Sequence, residues 1–162
     1  MVEDNFDSDV IDDFGDEWDA YDQSTVDSNE LEKQFLDYFK LFSWDESIVN
    51  GTGADFGCGS GRWARFVSDR VKSLICIDAS QKAVNVSKKN LADKTNCQVM
   101  LAKIDELSIP DSSLDFAYSL GVLHHLPDTA EAIKNCTDKL KSGAPFLIYL
   151  YYAFDNRPKW YS

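Results

Sequence analysis

Three glycines in close succession, Gly57, Gly59 and Gly61, separate a short apolar run from an amphipathic one, and no other feature constrains the chain as tightly. The run before them, Gly53-Ala54-Asp55-Phe56, reads as a strand; Trp63, Ala64, Phe66 and Val67 after them read as a helix. Glycine tolerates positive φ and lets a ligand approach the backbone closely. The first amides of the following helix have no partner within it. A glycine cluster alone is a weak signal, and the strand–turn–helix setting is what gives it meaning.

The same alternation continues downstream. A second strand is expected over 73–77, ending at Asp78, and Ser80 can cap a helix running to about Leu91. Third and fourth strands are expected over 98–102 and 114–119. Asp128 and Glu131 form a capping-box pattern ahead of Ile133, Cys136 and Leu140, with Gly143 as the expected stop. The fifth strand, 145–151, is the most apolar run in the chain. Apolar strands alternating with helices predict an α/β fold built on a doubly wound parallel sheet of about five strands. In such sheets ligands bind beyond the carboxyl ends of the strands.

Upstream, Leu31, Phe35, Tyr38, Phe39 and Phe42 share one face of a helix of about three turns, with Asn29 and Glu32 resembling a capping box. Phe14, Trp18 and Tyr21 share another helical face. The stretch from Met1 to Glu30 is rich in acids and holds no Lys or Arg, so the net charge of −12 belongs to this end. All 16 bases lie beyond it, balanced there by the remaining acids. A neutral domain with an acidic arm is a poor partner for nucleic acid or an anionic membrane. Cys58, Cys76, Cys97 and Cys136 show neither disulfide-framework nor metal-site spacing, so no metal is expected and a cytoplasmic setting is the simplest. No apolar run is long enough to span a membrane, and the acidic start is not a secretory signal.

Asp78 closes the second strand, one strand–turn–helix unit on from Gly57, where a carboxylate can accept from both hydroxyls of a ribose or serve as a solvated turn acid or helix cap. Asp55, beneath the loop, can attract an ammonium or sulfonium group by Coulomb's law, or bond loop amides. With these residues in view, the chain resembles the class I S-adenosylmethionine-dependent methyltransferases, in the small-molecule group with a Rossmann-like core. The resemblance rests on Asp55-Phe56-Gly57-Cys58-Gly59-Ser60-Gly61, on Asp78, on the segment from Ile104 to Asp111 and on Ser119-Leu120-Gly121-Val122-Leu123-His124-His125-Leu126-Pro127-Asp128. It covers about residues 53–153.

The resemblance implies that Gly57, Gly59 and Gly61 line the methionine part of S-adenosylmethionine and that Asp78 holds its ribose. It places Ile104 and Asp105 beside the adenine, and Ser119 and Leu120 beneath the sulfonium and amino-acid end. Lys103 stands where the family often has an acid, and lysine cannot accept from the adenine amine. Trp18, with Phe14 and Tyr21, is either a lid over the cofactor or ordinary core. His124 and His125, the only histidines, are candidate general bases or structural residues. Arg62 falls where a nicotinamide-binding Gly-x-Gly-x-x-Gly would need a small residue.

The organisation expected is an acidic disordered arm (1–13), an N-terminal helical segment (14–50) and the Rossmann-like core (51–162). The family fold continues after its fifth strand with a helix and two strands, for which the stretch Tyr152–Ser162 is too short. Strand five would then be an apolar edge that could support a homo-dimer. The expected function is methyl transfer from S-adenosylmethionine to an unidentified small molecule, yielding S-adenosylhomocysteine. The alternative is a non-catalytic module that only binds these cofactors.

Overall fold

The computed structural model describes residues 28–151. The acidic arm, the Phe14–Trp18–Tyr21 face and the stretch 152–162 lie outside them. The described chain runs α1 (Ser28–Tyr38), α2 (Glu46–Val49), β1 (Thr52–Phe56), α3 (Arg62–Ser68), β2 (Ser73–Asp78), α4 (Gln81–Asn90), β3 (Cys97–Leu101), β4 (Phe116–Leu120), a 3₁₀ turn (Leu123–His125), α5 (Thr129–Asp138) and β5 (Phe146–Tyr149). The five strands form one sheet in the order β3-β2-β1-β4-β5. Every pairing is parallel. The doubly wound α/β reading therefore holds.

Strand order reverses between β1 and β4. The chain moves outward from β1 through β2 to β3, then returns to lay β4 on the opposite flank of β1. Connections on the two sides leave on opposite faces, which opens a crevice above this seam. The register is Gly53↔Phe116, Ala54↔Ala117 and Asp55↔Tyr118. Gly53 must be glycine because a Cβ there would sit 2.1 Å from the Phe116 ring.

Side chains alternate across the sheet, so each face has its own core. One holds Phe35, Phe39, Trp63, Val67, Leu74, Cys76, Phe116 and Tyr118. The other holds Ala54, Phe56, Ile77, Ala117, Leu123, Ala132 and Cys136. The aromatic stripe of the N-terminal segment explains how α1 is seated. Phe39 meets Tyr118 edge-on at 5.2 Å and Phe42 meets Phe116 at 5.9 Å, which fixes the segment over the β1–β4 seam.

Local signals carry unequal weight. Ser80 and Asp128 cap α4 and α5, accepting from the amides of Ala83 and Glu131. The Asn29 box is corrected: the helix already includes Ser28, so Asn29 lies inside it. The same helix ends at Tyr38, and Phe39 and Phe42 reach the core from the turn beyond. α5 stops at Asp138 rather than at Gly143, which instead takes a φ of 80° in the turn before β5. The short helix α2 was not expected; Asp45 caps it through the amides of Ser47 and Ile48. No helix among the described residues is long and apolar enough to cross a membrane.

Candidate functional site

The glycine loop crosses the carboxyl end of β1 next to the seam. Gly57, Gly59 and Gly61 adopt φ of 81°, 54° and 78°, in the left-handed region. At Gly57 a side chain is excluded twice, since a Cβ would also lie 2.5 Å from the Val122 methyls. The amides of Gly57 and Cys58 both donate to the Ile77 carbonyl, at 2.8 and 2.9 Å. The loop is thereby tied to the end of β2, and so to Asp78.

Asp78 is bonded on both oxygens. Oδ2 accepts from the Gly59 amide at 2.8 Å and Oδ1 from the Ser80 amide at 2.9 Å. Burial pushes its pKa up, while the amides of Ser80, Gly59 and Ala79 hold it down. A carboxylate offers about four lone-pair sites, so two remain for a pair of vicinal hydroxyls. Asp78 is thus both a brace for the loop and a fitting acceptor for a ribose.

Asp55 is the exception among the acids. Its side chain is fully buried under the loop, and Oδ2 has no hydrogen-bond partner. Burial drives its pKa up to about 8, opposed by the Tyr118 hydroxyl and raised further by Asp78. The Tyr118 hydroxyl is close enough to act on the carboxyl electrostatically, yet it is itself buried without a hydrogen bond of sound geometry. An orphaned buried oxygen beneath a glycine loop fits an incoming ammonium.

The other expected residues divide. Ser119 is wholly buried and donates from Oγ to the Phe56 carbonyl at 2.8 Å, pinning β4 to the end of β1. Leu120 follows it, half-buried, at the end of β4. Ile104 is buried in the second core with Phe56 and Ile77, whereas Asp105 is exposed. Lys103 faces Glu106 at 3.7 Å. Trp18 lies outside the described residues.

His124 and His125 stand in the 3₁₀ turn after β4, rings 4.0 Å apart, with Tyr151 edge-on to His124 at 4.7 Å. Both ring nitrogens of His124 are buried without a partner among the described residues. Burial, then His125, lowers the His124 pKa, so its imidazole is neutral near pH 7. Sequence reasoning gave Tyr118 no role, read Tyr38 only as part of a helical stripe, and read Arg62 only as a mismatch to nicotinamide binding. Arg62 lies over the Trp63 ring at 4.3 Å, and Tyr38 meets Trp63 at 5.2 Å and Tyr149 at 5.3 Å. Tyr118 had no local signal, because its importance comes from the strand opposite.

Comparison with known proteins meets this geometry from another side. A methyltransferase domain family matches residues 54–148, from β1 through β5. The chain belongs to this methyltransferase family. It is similar to a ubiquinone biosynthesis O-methyltransferase of Nitrosomonas europaea, 32% identical over 124 residues, covering 72% of this chain and 51% of that protein. It is also similar to the uncharacterized methyltransferase YcgJ of Bacillus subtilis, 29% identical over 101 residues, covering 61% of this chain and 40% of that one. The chain thus spans about half or less of these relatives. A putative S-adenosylmethionine-dependent methyltransferase of Methanococcus maripaludis superposes with a TM-score of 0.69 at 21% identity, over 84% of this chain and 62% of that one, a likeness of fold. The class I methyltransferase core expected from the motifs is the family and fold found.

Proposed function

We propose that this methyltransferase-family chain binds S-adenosylmethionine at the β1–β4 seam and transfers its methyl group to a small-molecule acceptor. The observation that carries the reading is Asp55: a fully buried carboxyl with an orphaned oxygen, under a loop of left-handed glycines braced by Asp78. When bound, the cofactor supplies a methyl group on an already activated sulfonium leaving group. The protein's part is then to bind, align and exclude water, where alignment alone can contribute on the order of 7–11 kcal/mol. Asp78 would hold the ribose, the loop the methionine part, and Ile104 and Asp105 the adenine side. Ser119 and Leu120 would set the floor below the reacting end. His124 and His125 would be the candidate bases if the acceptor must lose a proton.

The small-molecule class is supported by the name of the Nitrosomonas relative, an O-methyltransferase of ubiquinone biosynthesis. The relatives being methyltransferases, the non-catalytic module is not favoured. A cytoplasmic setting belongs to the same reading. So does self-association at the β5 edge, where Tyr149, Leu150 and Tyr151 are 40%, 39% and 59% exposed; the solution mass would test it.

Thermal unfolding with S-adenosylhomocysteine, against an NAD control, tests the reading. Ligand at 100 times its dissociation constant stabilises by about 2.7 kcal/mol, roughly 5–11 °C in midpoint here. A shift with S-adenosylhomocysteine alone supports it, and a well-folded sample that shows no shift ends it.

A further inference from the structure

Asp55 and Tyr118 are direct partners across the β1–β4 seam. In a parallel pair such residues project from the same face, and here both side chains are fully buried. Asp55 Oδ2 and the Tyr118 hydroxyl are both buried without a hydrogen-bond partner. Two buried polar groups that lie close enough to influence each other, yet neither with a hydrogen bond of full geometry, are a standing cost unless a third group completes them. The Tyr118 ring cannot move away, because Phe39 packs edge-on against it at 5.2 Å.

We infer that Tyr118 is a positioning residue for Asp55, and that this pair receives one ligand ammonium with release of one proton. The inference rests on the cofactor reading above and adds to it the partner residue and the proton count.

The balance follows from burial. In the ligand-free protein Asp55 is neutral at pH 7, burial having pushed its pKa to about 8. A neutral carboxyl exerts no Coulomb pull on a cation. A buried carboxylate with no counter-charge would be costly, and so would a buried ammonium. Exchanging the Asp55 proton for an ammonium leaves the pocket charge unchanged. The proton goes to solvent, and the new carboxylate accepts from the ammonium and from the Tyr118 O–H. The groups that face Asp55 are Asp78 from β2, Cys97 from β3, Tyr118 from β4 and Arg62 from α3. Cys58 in the loop and Cys76 in β2 complete the surroundings, with thiols pushed up chiefly by burial in the first and by Cys97 in the second. Of these groups Arg62 carries the positive charge that helps the carboxylate form.

The test is isothermal titration of the 162-residue chain in buffers of different ionisation enthalpy. S-adenosylhomocysteine is compared with 5′-methylthioadenosine, the same nucleoside thioether without the amino acid. S-adenosylhomocysteine should release close to one proton at pH 7, and its affinity should rise nearly tenfold per pH unit from pH 6 to 7.5. The thioether should release none. Tyr118→Phe, which keeps the ring, should weaken S-adenosylhomocysteine about tenfold or more and leave the thioether unchanged. Asp55→Asn should abolish proton release and keep thioether binding. Binding of both ligands without proton release overturns this inference alone. Equal weakening of both by Tyr118→Phe does the same. If a folded chain binds neither ligand, the cofactor reading falls first and this inference with it.

Discussion

Asp55 and Asp115 lie on the same seam, Asp55 opposite Tyr118 and Asp115 opposite Thr52, about 10 Å apart along the strands. Asp115, at the amino end, is fully used. Its Oδ2 accepts from the Thr52 amide at 2.8 Å and Oδ1 from the Lys141 ammonium at 2.6 Å. Although burial pushes its pKa up, the Lys141 bond and the Thr52 amide outweigh it and hold the carboxyl below its usual range. Asp55, at the carboxyl end, lacks such bonds on Oδ2, and burial wins. Two aspartates on one seam are thus driven in opposite directions by their surroundings. An acid that is satisfied belongs to the scaffold; an acid kept buried and unsatisfied is the one the proposed cofactor site draws on.

The contrast is most fragile at Gly57. Alanine there must adopt left-handed φ and push Val122 aside, so Gly57→Ala should lower stability by about 3 kcal/mol and abolish S-adenosylhomocysteine binding. Denaturant unfolding with and without ligand would measure both.

The opposed pKa shifts predict opposed pH behaviour. Because Asp55 is raised in the folded protein, its contribution to stability is complete below the ordinary carboxylate pKa and is lost as pH climbs towards about 8. Between pH 6 and 8 the ligand-free chain should therefore lose stability, by at most about 1.4 kcal/mol per pH unit. Asp55→Asn should flatten that slope in urea titrations at stepped pH. A wild-type curve that rises over this range would refute the assignment. Asp115 is depressed, so its stabilisation is present above the ordinary carboxylate pKa and is lost as pH falls through the folded value. Asp115→Ala leaves the Thr52 amide unsatisfied and should cost about 1–2 kcal/mol without changing ligand affinity. The exposed share of the Lys141 pair adds little. Smallest is Asp128→Ala, which removes the cap of α5 and should cost about 1 kcal/mol, seen as a modest drop in midpoint with ligand affinity intact.

Much of the frame could be read from the chain. The strands begin close to where they were expected because apolar runs between turn signals have few other uses. Ser80 and Asp128 were legible as caps because capping involves neighbours in sequence. Asn29 misled for the same reason: its pattern with Glu32 is locally sound, but the helix extends past it. Asp55 and Asp78 stood out from their places at strand ends. How far Asp55 would be satisfied was not legible, because its surroundings include Tyr118, on a strand far along the chain. His124 was equally opaque, since its desolvation beside Tyr151 and His125 is set by how β5 returns to the seam.

Taken alone, the amino-acid order was enough for the parallel α/β frame, the glycine loop, the acids at the ends of β1 and β2 and the membership of the methyltransferase family. The frame, the loop and the strand-end acids follow from side-chain periodicity and short-range turn chemistry, which act over a few residues. The family came instead from the resemblance of its motifs and the family match over residues 54–148. What surrounds each acid was decided in three dimensions. Protonation state depends on how much water and how many donors surround a carboxyl, and residues distant in the chain supply both. Parallel pairing left Asp115 beside an amide and an ammonium, and left Asp55 beside a phenol and away from water.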